Sequence, residues 1–174
     1  MVGVGDNRSE PMRSVLIDGT QPEYHAGNGA SGQSVLPGLL VYKSGTIPNN
    51  EVTVCAAFHG SSMEDQGQIY IVEIPRSHPS FSQSYAKTTA FTAETDGFRM
   101  HKLKVGDRCW LKASSLTVSE NDIVGCHTGG LVIQWGGDTP DKYNIHCFSV
   151  IGVWASATWI QGEYRGQMTV DAAS

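Results

Sequence analysis

Two Cys-His neighbours, Cys126-His127 and His146-Cys147, carry the side chains best suited to chemistry in this sequence. Together they offer four ligands of the type zinc takes, thiolate sulfur and imidazole nitrogen. The same pairs raise Cys–His nucleophilic catalysis, in which an imidazole deprotonates a thiol and a third group orients the imidazole. Their spacing argues against both. Adjacent residues of a strand point to opposite faces, so each pair presents only one ligand to a given side. Cys147 also opens the apolar run from Cys147 to Ala155, the setting of a buried thiol. Cys55 and Cys109 lie in similar apolar or alternating runs, and no two cysteines form a CxxC. All four are therefore expected to be reduced, with no metal and no cofactor bound.

Other chemical signatures fail on context. Residues Gly27-Asn28-Gly29-Ala30-Ser31-Gly32 spell GxGxxG. The dinucleotide use of that motif needs a buried strand before it and a helix after it. Here Tyr24-His25-Ala26 precedes it, and Pro37 bars a long helix behind it. The carboxylates Glu64, Asp65, Asp107, Asp122 and Asp138 sit in turn-like contexts, where side-chain bonding to the local backbone accounts for them. Trp135, Trp154 and Trp159 have the types to line a sugar or base platform, but aromatic residues in strands pack in cores more often. The chain is not expected to be an enzyme.

Composition narrows the partners. Only 17% of the 174 residues are charged, against roughly 25% in ordinary soluble domains. A chain this poor in charge is expected to cover part of its surface with a partner. The formal net charge is −5. The densest basic stretch, Arg99-Met100-His101-Lys102-Leu103-Lys104, alternates with apolar residues and reads as a solvated strand face. Nucleic-acid binding through phosphates has little electrostatic support. No run approaches the ~20 apolar residues needed to span a bilayer, and the first residues lack the pattern of a signal peptide. No membrane partner is expected.

The elements that must position these residues are strands. Val35-Leu36-Pro37-Gly38 is turn chemistry followed by the apolar run Leu39 to Tyr42. Glu51 to Phe58, Ile69 to Ile74, Phe98 to Leu103, Arg108 to Ala113, Leu131 to Trp135, Cys147 to Ala155 and Tyr164 to Val170 complete a series of about eight short strands separated by turn signals. Gly129-Gly130 predicts a hairpin turn, Val105-Gly106-Asp107 another turn, and Gly152 a bend or bulge. With no sustained 3.6-residue period, the fold class is all-β: a small β-barrel or sandwich with an extended N-terminal arm. Residues 1–33 form the arm, because they hold six glycines and one short apolar run, Val15-Leu16-Ile17. Residues 34–174 form a single β domain with a long loop at 75–97, rich in Pro, Ser and Thr.

The order of these pieces resembles the small decoration (cement) proteins on the capsids of tailed double-stranded DNA viruses. It runs from the arm into Val35-Leu36-Pro37-Gly38-Leu39-Leu40-Val41. Then come Ile69-Tyr70-Ile71-Val72-Glu73 and the stretch Phe98 to Leu111, which includes Val105-Gly106-Asp107-Arg108-Cys109-Trp110. Val118 to Val124, Gly129-Gly130-Leu131, Ser149 to Ala155 and Tyr164 to Val170 close the order. In two places the chain departs from that pattern: the polar turn at Asn121-Asp122 lacks the Gly-Asp common in such proteins, and the 75–97 excursion is long. The resemblance implies a structural virion protein that binds the outer surface of the capsid and stabilises the shell. The implied partners are the major capsid protein and further copies of the chain, as a homotrimer at three-fold axes. The contact elements would then be the arm and the long loop, with Val15, Leu16, Ile17, Phe81, Tyr85 and Phe91 as apolar anchors. The alternatives are another virion component (tail, fibre or turret), a carbohydrate-binding β-sandwich, and a small β-barrel hydrolase.

Overall fold

Alternating and β-branched stretches leave a chain little choice but to pair in sheets, and turn residues decide where each pairing stops. The computed structural model describes residues 14–19, 21–29, 35–46, 53–57, 68–74, 97–113, 118–126, 130–134, 143–153 and 159–170. They contain eleven strands: β1 (Leu16–Asp18), β2 (Tyr24–Gly29), β3 (Leu40–Thr46), β4 (Thr53–Ala57), β5 (Tyr70–Val72), β6 (Gly97–Lys102), β7 (Arg108–Lys112), β8 (Ile123–Cys126), β9 (Val132–Gln134), β10 (Tyr143–Val153) and β11 (Trp159–Val170). No α-helix occurs among the described residues. The all-β expectation holds.

The strands divide into two units. Six form a sheet in the order β1-β7-β11-β10-β8-β9, antiparallel throughout. A parallel bridge from Ala113 to Val132 brings the end of β7 against β9, so this sheet curls back on itself. The other five pair in the order β2-β4-β3-β5-β6, and the β2–β6 ladder closes them into a small barrel. Within it, β2 and β4 run parallel.

Period-two alternation explains how the units meet. Val41, Tyr70, Val72, Phe98 and Met100 gather with Val35 in one buried cluster. Their neighbours Leu40, Ile69 and Ile71 belong instead to a larger cluster shared with Leu111, Phe148 and Ile160 of the sheet. Barrel and sheet therefore share one apolar layer. β5 is buried on both faces, which is why its sequence is apolar without a break.

Turns fall where turn residues stand. Leu39 N–H donates to Leu36 O at 3.2 Å across Pro37-Gly38, and Gly38 takes φ +82°, open to glycine and costly to others. Asn121 occupies φ 76° in the 119–122 turn. Asparagine is among the side chains that tolerate this region, so it does here what a glycine does elsewhere. The Asp122 carboxylate accepts the Ser119 N–H at 2.8 Å and completes the turn. The predicted bulge at Gly152 is present as a register shift between Val150 and Gly152; β8 and β9 pair antiparallel, and Gly129 of the predicted hairpin turn lies outside the described residues.

The N-terminal arm is corrected over part of its length. Residues 14–29 are not a free arm, and the boundary at 33 does not separate arm from body. β1 lies against β7 of its own chain, and β2 is clasped between β4 and β6. Val15 has no exposed surface, a burial that contributes about 1.5–3 kcal/mol. Tyr24-His25-Ala26-Gly27-Asn28-Gly29 carries no strand pattern of its own; pairing on both edges makes it a strand. The first two glycines of the GxGxxG match lie in that strand, not in a phosphate-binding turn. Residues 1–13 and 75–96 lie outside the described residues.

Deleting residues 1–29 removes two strands, opens the barrel and uncovers the β7 edge of the sheet. The truncated chain is expected to be insoluble, or to lose cooperative unfolding in urea. A soluble truncation with an unchanged urea midpoint would show that β1 and β2 are dispensable.

Candidate interaction surface

A buried carboxylate anchors the N-terminal strand. Glu73 is 1% exposed and sits just after β5, its own N–H donating to Arg99 O at 2.8 Å. Its Oε1 accepts the N–H of Val15 at 2.8 Å and that of Ile74 at 2.8 Å. The Ser14 hydroxyl donates to its Oε2 at 2.7 Å, and Ser14 Oγ accepts the Leu16 N–H at 3.1 Å. Trp110 N–H donates to Val15 O at 2.7 Å. A buried carboxylate is tolerable only when donors of this kind replace its water. Here they do so by gripping the start of β1.

A second polar link runs from barrel to sheet. His101 and Asp107 are both fully buried. His101 Nδ1 accepts the Glu23 N–H at 3.2 Å, which leaves Nε2–H to donate to Asp107 Oδ2 at 3.0 Å. The Lys104 N–H donates to the same oxygen at 2.9 Å. This bonding holds the 104–107 turn and places the Glu23 backbone beside β6.

That placement builds a surface cluster. The Glu23 carboxylate meets His25 Nε2 at 3.1 Å, Lys102 Nζ at 3.5 Å and Lys104 Nζ at 3.3 Å. The His25 hydrogen bond first, and the Lys104 one second, hold its carboxyl below its ordinary value. His25 packs edge-on against Tyr70, with ring centres 5.3 Å apart. Lys43 Nζ stands 5.1 Å over the same Tyr70 ring, and the Arg99 guanidinium 4.3 Å over Tyr24. Exposed and partly exposed pairs like these add little to stability, because water screens them. Their chemistry lies in what they present to a partner.

The Cys-His pairs have a different fate. Cys109, Cys126 and Cys147 are free and buried. Burial pushes the thiols of Cys109 and Cys126 up, away from the reactive thiolate. His146 is 1% exposed. Gln167 Nε2 donates to its Nε2 at 3.3 Å, and its Nδ1–H donates to Tyr164 Oη at 2.6 Å. Burial first, then the neighbouring Cys147 and Cys126, raises the Tyr164 hydroxyl as well. No three metal-ligating side chains converge among the described residues; His127 and Cys55 lie outside those whose side chains are described.

The predicted anchors separate. Val15 is inside the core, and Leu16 and Ile17 are partly buried at the edge of the sheet, with Ile17 packed on the core. Val15 thus has no face to offer a partner, because the Glu73 grip turns it inward. Phe81, Tyr85 and Phe91 lie outside the described residues, as do Trp135 and Trp154, while Trp159 is buried. Sequence reasoning missed Glu73, Glu23 and Lys43. The Arg99–Lys104 stretch was legible as basic, but not that His101 turns inward while Lys102 and Lys104 converge on one carboxylate.

The fold has a solved counterpart. The chain is similar to the N base of the head fiber gp8.5 of bacteriophage phi29, with a TM-score of 0.50 over 86% of this chain and 100% of that one. Identity is 8%, so the likeness establishes a shared fold. No protein-family model and no curated protein sequence matches the chain.

Two measurements check this geometry. Glu73→Ala strips the Val15 and Ile74 amides of their acceptor and is expected to cost about 2–4 kcal/mol, with Ser14→Ala costing about 1 kcal/mol. Amide hydrogen exchange at Trp110, whose N–H bonds to Val15, should speed up in both; unchanged exchange would mean that Glu73 does not hold β1. In a separate experiment, alkylation of the native protein followed by peptide mapping should leave Cys109, Cys126 and Cys147 unmodified until denaturant is added. Rapid native labelling of any of the three would contradict their burial.

Proposed function

We propose that this protein is a structural component of a phage virion, acting at the outer surface of the capsid. The observation that supports it is the shared fold with the base of a phage head fiber. Further support comes from chemistry. The described histidines and cysteines are spent on internal hydrogen bonds or packed in the core, apart from His25 on the surface. The polar clusters that do reach the surface set aromatic rings and an Arg, which protein contacts favour, beside lysines suited to a contact's polar rim. Copies joined to one another across symmetric sites on a shell would each need only modest affinity to stay attached.

Two modes of action fit this role. In the first the protein decorates the shell and stabilises it, in contact with the major capsid protein and with other copies of itself, a trimer being the arrangement that capsid three-fold symmetry favours. The second is favoured by the likeness to a fibre base: the protein anchors a projecting appendage and leaves the shell's own stability unchanged.

Purified protein mixed with undecorated capsids of its own virus should sediment with them saturably at micromolar concentration. A raised melting temperature of the loaded capsids marks decoration; binding without such a rise marks the fibre-base role. Absence of co-sedimentation, together with binding to a glycan array, would replace both by the carbohydrate-binding alternative.

A further inference from the structure

The cluster around Glu23 does not match the rest of the molecule in charge. The chain carries 17 acidic and 12 basic side chains, His aside. Here three ammonium groups are joined through Tyr70 and His25 to a single carboxylate. Lys102 and Lys104 share Glu23 with His25, His25 touches Tyr70, and Lys43 lies over Tyr70. Among the described residues Glu23 is the one carboxylate that meets them, and one carboxylate leaves these lysines with unmatched positive charge.

Exposed apolar side chains occur near these residues in the chain. Among the described residues, the large apolar side chains left exposed are Tyr24, at 39%, and Val105, at 67%. Tyr24 follows Glu23 in the chain, and Val105 follows Lys104. In the β2–β6 ladder Tyr24 pairs with His101, so its ring stands on the opposite face of β2 from Glu23 and His25. What marks the surface is its charge.

We propose that this surface docks an acidic, carboxylate-rich segment of a neighbouring virion protein, with Glu23 holding the lysines in place until the partner's carboxylates take them over. This rests on the virion reading above and names the chemistry of its contact. Nucleic acid suits the surface less well. The chain's net charge of −5 opposes a long polyanion at long range. A short acidic segment feels less of the distant charge, and can meet Lys102 and Lys104 one carboxylate at a time.

The roles predict opposite effects for opposite substitutions. The probe is a fluorescent polyglutamate peptide followed by anisotropy at low ionic strength, with a double-stranded DNA oligonucleotide as the comparison. Wild-type protein should bind polyglutamate more tightly than DNA, and added salt should weaken the binding. The double variant Lys102→Glu/Lys104→Glu should lose more than tenfold. Glu23→Gln removes the internal competitor and should gain roughly two- to fivefold, the equivalent of one exposed ion pair. Equal binding by all three proteins, no binding, or tighter binding to DNA would overturn the proposal.

The capsid assay separates this inference from the reading it rests on. If wild-type protein and the double variant sediment with capsids equally well, the surface is wrong and the virion role stands. If wild-type protein binds polyglutamate as described but never sediments with capsids, the virion role falls instead.

Discussion

One apolar layer, shared between the barrel and the curled sheet, carries the molecule. Leu40, Ile69 and Ile71 enter it from one side, and Leu111, Phe148 and Ile160 from the other, all without exposed surface. Neither unit has another place to hide those side chains. A five-stranded barrel with a small interior of its own would otherwise expose Leu40 and Ile71 to water, at about 1.5–3 kcal/mol each. The two units therefore stand or fall together.

Around that layer, polar groups are used for placement. Glu73 and the His101–Asp107 pair are buried where a charge or an imidazole costs most, and each is surrounded by donors and acceptors that offset the cost. Glu73 ties the start of β1 to the segment after β5. His101 ties the chain before β2 to the turn before β7. Both bonds join segments far apart in sequence, and both settle where the N-terminal residues run.

The surface follows from that placement. Because the Glu23 amide bonds His101, the Glu23 side chain comes to lie beside Lys102 and Lys104, and His25 carries the cluster on to Tyr70 and Lys43. A chain of low charge and net negative sign thus gathers Lys102 and Lys104 around one carboxylate. The likeness to a phage head fiber base concerns the fold; the charge asymmetry belongs to this chain's own residues.

The sequence by itself determined the fold class and most of the strands. Alternation and strand-type residues placed β4, β6 and β7, and apolar runs placed β5, the apolar part of β3 and much of β10 and β11. Pro37-Gly38 and Val105-Gly106 placed turns, and Gly152 a bulge. These signals are local, so neighbouring residues suffice to read them. Only the tertiary structure decided the rest. β2 has no strand pattern because its reason for being a strand is the pair of edges on either side of it. Val15 is core because a carboxylate 58 residues away accepts its amide. The basic stretch at 99–104 splits into a buried imidazole and two surface lysines because β6 has the barrel interior on one side and the sheet on the other. Long-range pairing and burial are properties of where segments meet, and no residue carries them alone.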